Sequence, residues 1–333
     1  MKIIEISGPD SSIKYPIKED GGRERVIEWL SKELGKEQIV SVVAQCGSHI
    51  SHCNIIEVFH RNGLEPEEFY SAFCKDNNRM RCDILHVHHP KYLIFSQSVD
   101  AKQVVLTHHG FFEGMSCYRD RFSFTETYVS RYLQSVMDFN SKGSVIYNPI
   151  PEEEYPLLTS EKKIDLLFVG DCNKKVKRLD IAISVASALK VKLFVAGKAS
   201  TTLTDILKNN PNVEYLGEIN QETKLKLMSL SRAVICPNDA PEAFCLVAAE
   251  ANAVGSPVLC SNNGGLPEVI DDGISGYICK NLDEYIYNFK KIDELEPVLI
   301  RNNVLSKFDS KAIAGKYMEL FNLKCNGSNC MSI

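Results

Sequence analysis

The chain has 333 residues, a formal net charge of −5 and a sequence pI near 6.0. The length exceeds what one hydrophobic core usually organises and sets an expectation of two domains of roughly 150 residues each. The acidic balance argues against general nucleic-acid binding, which needs a basic excess or stripe, and 44% apolar with 24% charged residues is the composition of a folded rather than a disordered chain.

No stretch approaches ~20 consecutive apolar residues, and MKIIEISGPD reads as a short strand followed by polar residues. Neither a membrane span nor a signal peptide is expected, and the location read from this is cytoplasmic. The 12 cysteines are scattered, several inside apparent strands and helices such as Cys236, Cys245 and Cys260, which suits buried free thiols in a reducing compartment. CGSHISHC at 46–53 carries His49 and His52 but matches no standard zinc spacing. Asn326-Gly327-Ser328 is a glycosylation sequence that matters only on a secretory route.

In chain order, KIIEIS, IVSVVA, NIIEVF, DILHVH and QVVLTH are expected as strands, with helices at about 23–34, 65–76 and 131–139. The Pro-rich, acidic PIPEEEYPLLTSEKK at 149–163 reads as a linker. The rhythm then restarts: DLLFVG, VKLFVAG, NVEYLG, AVICP, SPVLCS and GYICK are expected strands, with helices at about 179–189, 221–231 and 310–323. Alternation of this kind predicts two mainly parallel sheets wrapped by helices, whose ligands bind beyond the carboxyl ends of the strands.

Several groups fall at such strand ends. Gly21 and Gly22 precede the first helix, where adjacent glycines let backbone amides approach a phosphate and the helix start adds its dipole. A pair of this kind is by itself more often a flexible turn, and no G-x-G-x-x-G accompanies it. HVHHP and VVLTHHG carry five of the eight histidines, His86, His88, His89, His108 and His109. No neighbouring carboxylate or thiol pattern completes a metal-ligand set, and His86, His88 and His89 read as loop packing. Lys174, Lys175, Lys177 and Arg178 lie where a strand gives way to a helix, a place where cations oppose the helix dipole unless an anion joins them.

The richest stretch is 241–279. A helix is expected over about 243–254, apolar nearly all round, with Glu250 inside it. A carboxylate there needs donors, either protein groups or ligand hydroxyls. Eight residues of helix rise ~12 Å, with Glu242 at the positive end. A ligand lying along the helix would meet Glu242, then the amides of Phe244, Cys245 and Leu246, then Glu250. A nucleotide-sugar has that order of hydroxyls, diphosphate and hydroxyls.

Glu242 and Glu250, with seven residues between them and EANAVGSPVLCSNNGGLPEVIDDGISGY following, resemble the E-x7-E signature of family 4 retaining glycosyltransferases. Two departures are visible: Cys245 stands where the family usually has Gly, and Asp171 follows Gly170 where it usually has Arg. The resemblance implies the GT-B fold, an α/β architecture of two Rossmann-like doubly wound domains facing a cleft. Residues 1–150 would be the acceptor side and 151–309 the donor-binding side, with the closing helix and tail at 310–333 packing back on the first domain.

The resemblance also implies roles. Glu242 contacts the donor sugar, the backbone at Phe244, Cys245 and Leu246 meets sugar and phosphate, and Glu250 binds the ribose. Gly21 and Gly22 face donor phosphate or acceptor, and His109 contacts the sugar near the reacting carbon. Lys177 with Arg178 is placed to hold the departing diphosphate; for the arginine that Asp171 replaces, either Arg178 or Lys174 substitutes or donor binding is weak. No metal or cofactor is implied, the nucleotide-sugar being a substrate. The donor phosphate helps take the acceptor proton, so no protein nucleophile is assigned, unlike the two carboxylates of retaining glycosidases. Two other readings stay open: a nucleotide-sugar epimerase on the same plan, and a nucleotide-sugar-binding protein that has lost catalysis, for which Asp171 and Cys245 are the motive. The donor's base and sugar are not written in the sequence, nor is the acceptor, whether glycan, lipid-linked or small molecule. A peripheral membrane contact is open, and the aromatics Phe111, Phe112 and Tyr118 are acceptor-side candidates or, equally, packing residues.

Overall fold

A computed structural model describes residues 1–6, 14–17, 21–45, 47–58, 80–138, 142–157 and 161–325. The chain divides into two compact units, Met1–Pro149 with Ser310–Ile333, and Ile150–Asp309. Each holds a parallel sheet with interleaved helices, the α/β class expected from the alternating pattern. Among the described residues no helix is long and apolar enough to cross a membrane.

The first unit's sheet has seven strands in the order β3-β2-β1-β4-β5-β6-β7. They are β1 (Lys2–Ile6), β2 (Ile39–Gln45), β3 (Cys53–Val58), β4 (Arg81–Val87), β5 (Asp100–His108), β6 (Thr125–Tyr128) and β7 (Ser144–Val145). The apolar runs become strands because a parallel sheet is covered on its faces, and Ile3, Ile4 and Ile6 are fully buried. Helix α1 (Gly22–Leu34) shares a core with the long C-terminal helix Ser310–Cys325: Leu30 and Leu34 meet Ile313, Tyr317 and Phe321 over Ile3, Val42 and Ile84. Two shorter helices, α2 (Met115–Arg121) and α3 (Arg131–Met137), follow β5 and β6. β6 and α2 escape the apolar pattern because TETY and MSCYRDR are polar, and the Arg119–Glu126 ion pair links them.

The expected helix at 65–76 lies outside the described residues, as do Cys46 and Asn326-Gly327-Ser328. Within 46–53, Cys53 opens β3 and its thiol donates to the Ser31 carbonyl at 3.1 Å. Burial, helped by Glu5, pushes that thiol up to about 12.

The second unit's sheet has six strands in the order β10-β9-β8-β11-β12-β13: β8 (Ile164–Val169), β9 (Leu193–Ala196), β10 (Val213–Gly217), β11 (Ser231–Cys236), β12 (Val258–Ser261) and β13 (Gly276–Cys279). Its helices are α4 (Leu179–Leu189), α5 (Thr201–Lys208), α6 (Gln221–Leu230), α7 (Leu246–Ala253), α8 (Leu266–Val269), α9 (Leu282–Phe289) and α10 (Pro297–Phe308), which makes the C-terminal helix α11. Leu166, Phe168, Ala182, Val185 and Ile235 form its core. Cys172, Cys236, Cys245, Cys260 and Cys279 are free thiols.

One boundary departs from expectation. α7 begins at Leu246, not at about 243, because Cys245 takes a left-handed conformation (φ 78°) and Glu242 forms a parallel bridge with Gly264. Glu242 therefore precedes the helix by four residues instead of standing immediately before it.

Candidate active site

In both sheets the strand order reverses beside the first strand, between β1 and β4 and between β8 and β11. Such switch points leave a crevice at the strands' carboxyl ends, the usual ligand position in this architecture. The candidate residues of each unit collect there.

In the second unit the loop after β8 is held tightly. Gly197, at φ 139°, passes so near Gly170 that a Cβ would lie 1.8 Å from its carbonyl oxygen. Asp171 Oδ1 accepts from the Asn173 backbone N–H at 3.0 Å and its Nδ2 at 3.1 Å, an Asx turn that leads into the 3-10 turn Lys175–Lys177. The acid in the place of the resembled arginine thus shapes the loop.

Lys177 Nζ donates to Glu242 Oε1 in a short ion pair joining residues 65 positions apart. Asn238 Nδ2 donates to the same oxygen at 2.7 Å. Both charged side chains keep about a quarter of their surface exposed, at 28% and 24%. Burial alone would lower the Lys177 ammonium, but the Cys245 sulfur and the Glu242 carboxylate outweigh it and the pKa is raised. The backbone of Glu242 is clamped as well. Its carbonyl accepts from Gly265 N–H at 2.7 Å, and Gly264, at φ +65°, lies against it so closely that a Cβ would be 2.3 Å from the Glu242 oxygen and 2.4 Å from its nitrogen.

Arg178 does not join this pair. It caps α4 in a left-handed conformation, and its guanidinium is held by Asp180 at 2.9–3.2 Å and Asp239 at 3.5 Å. Lys177 and Arg178 thus face different carboxylates, Lys177 meeting Glu242 and Arg178 meeting Asp180 and Asp239. A cavity of about 350 Å³ opens beside it, lined by Arg178, Asn238, Asp239, Ser261, Asn263 and Asn281 among others.

The residues after Glu242 separate by role. The Phe244 ring is 2% exposed and packs edge-on against Phe308 at 5.0 Å, so its side chain belongs to the core. Cys245 caps α7 with no side-chain cap bond, so the first-turn N–H groups that begin at Leu246 are left uncapped by that side chain. Glu250 is 2% exposed, and its donors are protein groups. Lys224 Nζ reaches both oxygens at 2.8 and 2.7 Å, Tyr155 OH donates at 2.8 Å and Gln221 Nε2 at 3.3 Å. A carboxylate this deep requires a cation and donors, and α6 with the segment after residue 150 brings them. Nothing in the residues around Glu250 announced Lys224, Tyr155 or Gln221.

The first unit contains a buried polar chain. Glu5 on β1 and His86 on β4 are register partners. Glu5 Oε2 lies 2.9 Å from His86 Nδ1 and 2.7 Å from His88 Nε2, and His88 Nδ1 lies 2.9 Å from His109 Nε2. His86 Nε2 meets Thr107 Oγ1 at 2.7 Å, and Thr107 meets Thr127 at 2.7 Å and Tyr317 OH at 3.1 Å. Glu5, His86 and His88 could bring three ligand atoms around a metal ion, but their separations are those of hydrogen bonds. Loop packing, the expectation for His86 and His88, is thereby corrected: one lies inside β4, the other just past it, and both are polar partners of a buried acid. His89 does belong to the loop, its Nδ1 accepting from Lys91 N–H at 3.3 Å. The signal that could have found the chain is Glu5 itself, an acid in the apolar run KIIEI.

Gly21 caps α1 and Gly22 is its first residue. Arg23, next along, acts electrostatically on both His88 and His109. Phe111 is 45% exposed, whereas Phe112 and Tyr118 pack edge to face at 5.6 Å.

Residues 150–296 match the model of the family described as glycosyl transferases group 1. The chain is a glycosyltransferase. It is 27% identical over 268 residues to an uncharacterised glycosyltransferase of Methanocaldococcus jannaschii, covering 77% of this chain and 72% of that one. The fold of this glycosyltransferase is that of GT-B enzymes with solved structures. AviGT4, a glycosyltransferase involved in avilamycin A biosynthesis, matches with a TM-score of 0.79 at 21% identity over 97% of this chain and 98% of its own. Anabaena HepE, solved in complex with UDP and glucose, matches with a TM-score of 0.74 at 17% identity over 97% and 99%.

Proposed function

We propose that this glycosyltransferase is of the family 4 type: it takes its sugar from a nucleoside diphosphate sugar, retains the anomeric configuration and needs no metal ion. The observation that carries the reading is the Lys177–Glu242 pair, clamped by Gly264 and set before the start of α7. Breaking the glycosidic bond leaves an oxocarbenium-like carbon and a diphosphate of growing negative charge. Lys177 exchanges Glu242 for that charge, the first-turn amides of α7 add their partial positive charge, and the freed Glu242 carboxylate accepts from sugar hydroxyls.

Glu250 serves the ribose by exchange: its hydroxyls take the places of Tyr155 and Gln221 on Oε1 while Lys224 keeps the charge compensated. His109 meets a hydroxyl of the sugar, and Gly21 and Gly22 present the start of α1 to phosphate or acceptor. The leaving phosphate takes the acceptor proton, so no protein nucleophile is needed. The complex of HepE with UDP and glucose supports a uridine nucleotide as the first donor to try, and the comparisons favour a transferase over an epimerase.

The test is a thermal-shift and turnover screen of uridine, guanosine and adenosine diphosphate sugars with and without EDTA, the product anomer being read by proton NMR. One sugar should stabilise the protein in proportion to occupancy and be transferred with retention in EDTA. An inverted anomer, loss of activity in EDTA, or isomerised sugar with no acceptor consumed would each overturn the reading.

A further inference from the structure

The chain Glu5–His88–His109 has a fixed direction. A carboxylate can only accept, and Glu5 is held ionised near 2: burial raises it, but His86 and His88 more than offset that. His88 Nε2 must therefore carry a hydrogen. Burial holds His88 down to about 4, with His86 and Arg23 acting the same way against the Glu5 bond, so the ring is neutral at pH 7 and its Nδ1 is a lone pair. The 2.9 Å contact then obliges His109 to donate from Nε2. Burial first, then His88, Arg23, His86 and His108, push His109 well below the ordinary histidine value, so it too is neutral and its Nδ1 is a lone pair.

His109 is partly exposed, and among the described residues no group bonds that Nδ1. The chain is flanked on its other side by His86, whose Nδ1 lies 2.9 Å from Glu5 Oε2 and whose Nε2 lies 2.7 Å from Thr107 Oγ1. Every member stands on β1, β4 or β5 or within a residue of their ends.

We propose that Glu5 and His88 are positioning residues that hold His109 in one neutral form, Nε2–H inward and Nδ1 outward, so that it accepts a hydrogen bond from a hydroxyl of the donor sugar. The sugar as ligand rests on the function proposed above; the ring state does not. The chemistry suits the reaction. A lone pair beside a carbon that gains positive charge is favourable, an imidazolium there would oppose it, and an N–H would face a hydroxyl oxygen in place of its proton. The outward nitrogen also makes the site selective, because a sugar lacking the hydroxyl leaves it unpaired.

Full-length protein labelled with 15N-histidine, examined by NMR at pH 7, gives the ring state directly, His109→Gln identifying the His109 signals by their loss. A proton on Nε2 and none on Nδ1 is expected. A protonated Nδ1 or an imidazolium overturns the proposal whether or not any nucleotide-sugar is turned over. With a working donor, two variants then separate polarity from packing. His88→Asn puts an amide oxygen near the former Nδ1 and should keep kcat close to wild type; His88→Leu fills the space without an acceptor and should lower kcat by ~10-fold, the worth of one such hydrogen bond, with the donor KM little changed. Equal kcat in the two variants would reduce His88 to packing and sink the proposal.

Discussion

Gly264→Ala tests the clamp on Glu242. The glycine sits at φ +65°, and an added Cβ would stand 2.3 Å from the Glu242 carbonyl oxygen and 2.4 Å from its nitrogen. Ordinary contact begins near 3.4 Å, so one backbone must retreat by about 1 Å. The left-handed conformation costs an alanine ~1 kcal/mol relative to glycine, and forced displacement in a packed region adds ~1–3 kcal/mol. The expected loss is about 2–4 kcal/mol in urea denaturation.

Gly273→Ala is the control, because Gly273 has φ +76° with nothing within 4 Å. It should cost ~1 kcal/mol and leave activity alone. Displacing Glu242 by about 1 Å breaks its bonds to Lys177 and Asn238 and should lower kcat/KM by up to ~100-fold. If Gly264→Ala costs no more than Gly273→Ala and turns over sugar at the wild-type rate, the bridge does not position Glu242 and the reasoning fails.

Lys224→Met leaves Glu250 buried without its cation and should cost ~3–5 kcal/mol, while Lys224→Met with Glu250→Leu should recover most of that in the same denaturation assay. A single-variant loss below ~1 kcal/mol would show that the ion pair is not what keeps the carboxylate buried. Acid should weaken the first unit. His88, ordinarily 6.5, is held near 4 by burial, so the unfolded chain takes up its proton first and stability falls as pH drops from 6.5 towards 4. Burial raises Glu126, but bonds from His108 and Arg119 bring it to about 2, so its contribution is full above 4.5 and lost as pH falls towards 2. Trp29, the single tryptophan, is 2% exposed in α1 and reports this unit by fluorescence; a urea midpoint constant from pH 6.5 to 4 would contradict the His88 assignment, and one constant from pH 4.5 to 2 the Glu126 assignment. Glu242→Gln keeps the shape of the side chain but removes the charge facing Lys177, and should lower kcat at least ~10-fold with the protein's stability nearly unchanged; full activity would remove Glu242 from the chemistry.

The parallel α/β plan was legible because buried strands such as KIIEI and IDLLFV are mostly apolar, and because helical stretches such as α4 alternate with them. The Glu242 and Glu250 pair was legible from its spacing and the glycines that follow. The polar elements were not, since β6 and α2 are held by the contacts Glu126 makes with His108 and Arg119, which no local pattern encodes.

Sequence alone determined which groups are chemically able to serve the site, and that they stand at strand ends, since both follow from residue type and period. Only the tertiary structure decided their partners. Lys177 meets Glu242 while Arg178 turns to Asp180 and Asp239, Glu250 is already held by Lys224, and Glu5 reaches His109 through His88. The physical reason is that charge and hydrogen-bond pairing depend on distances of about 3 Å between residues as many as 210 positions apart, and such proximity exists only once the strand order and the packing within each unit are set.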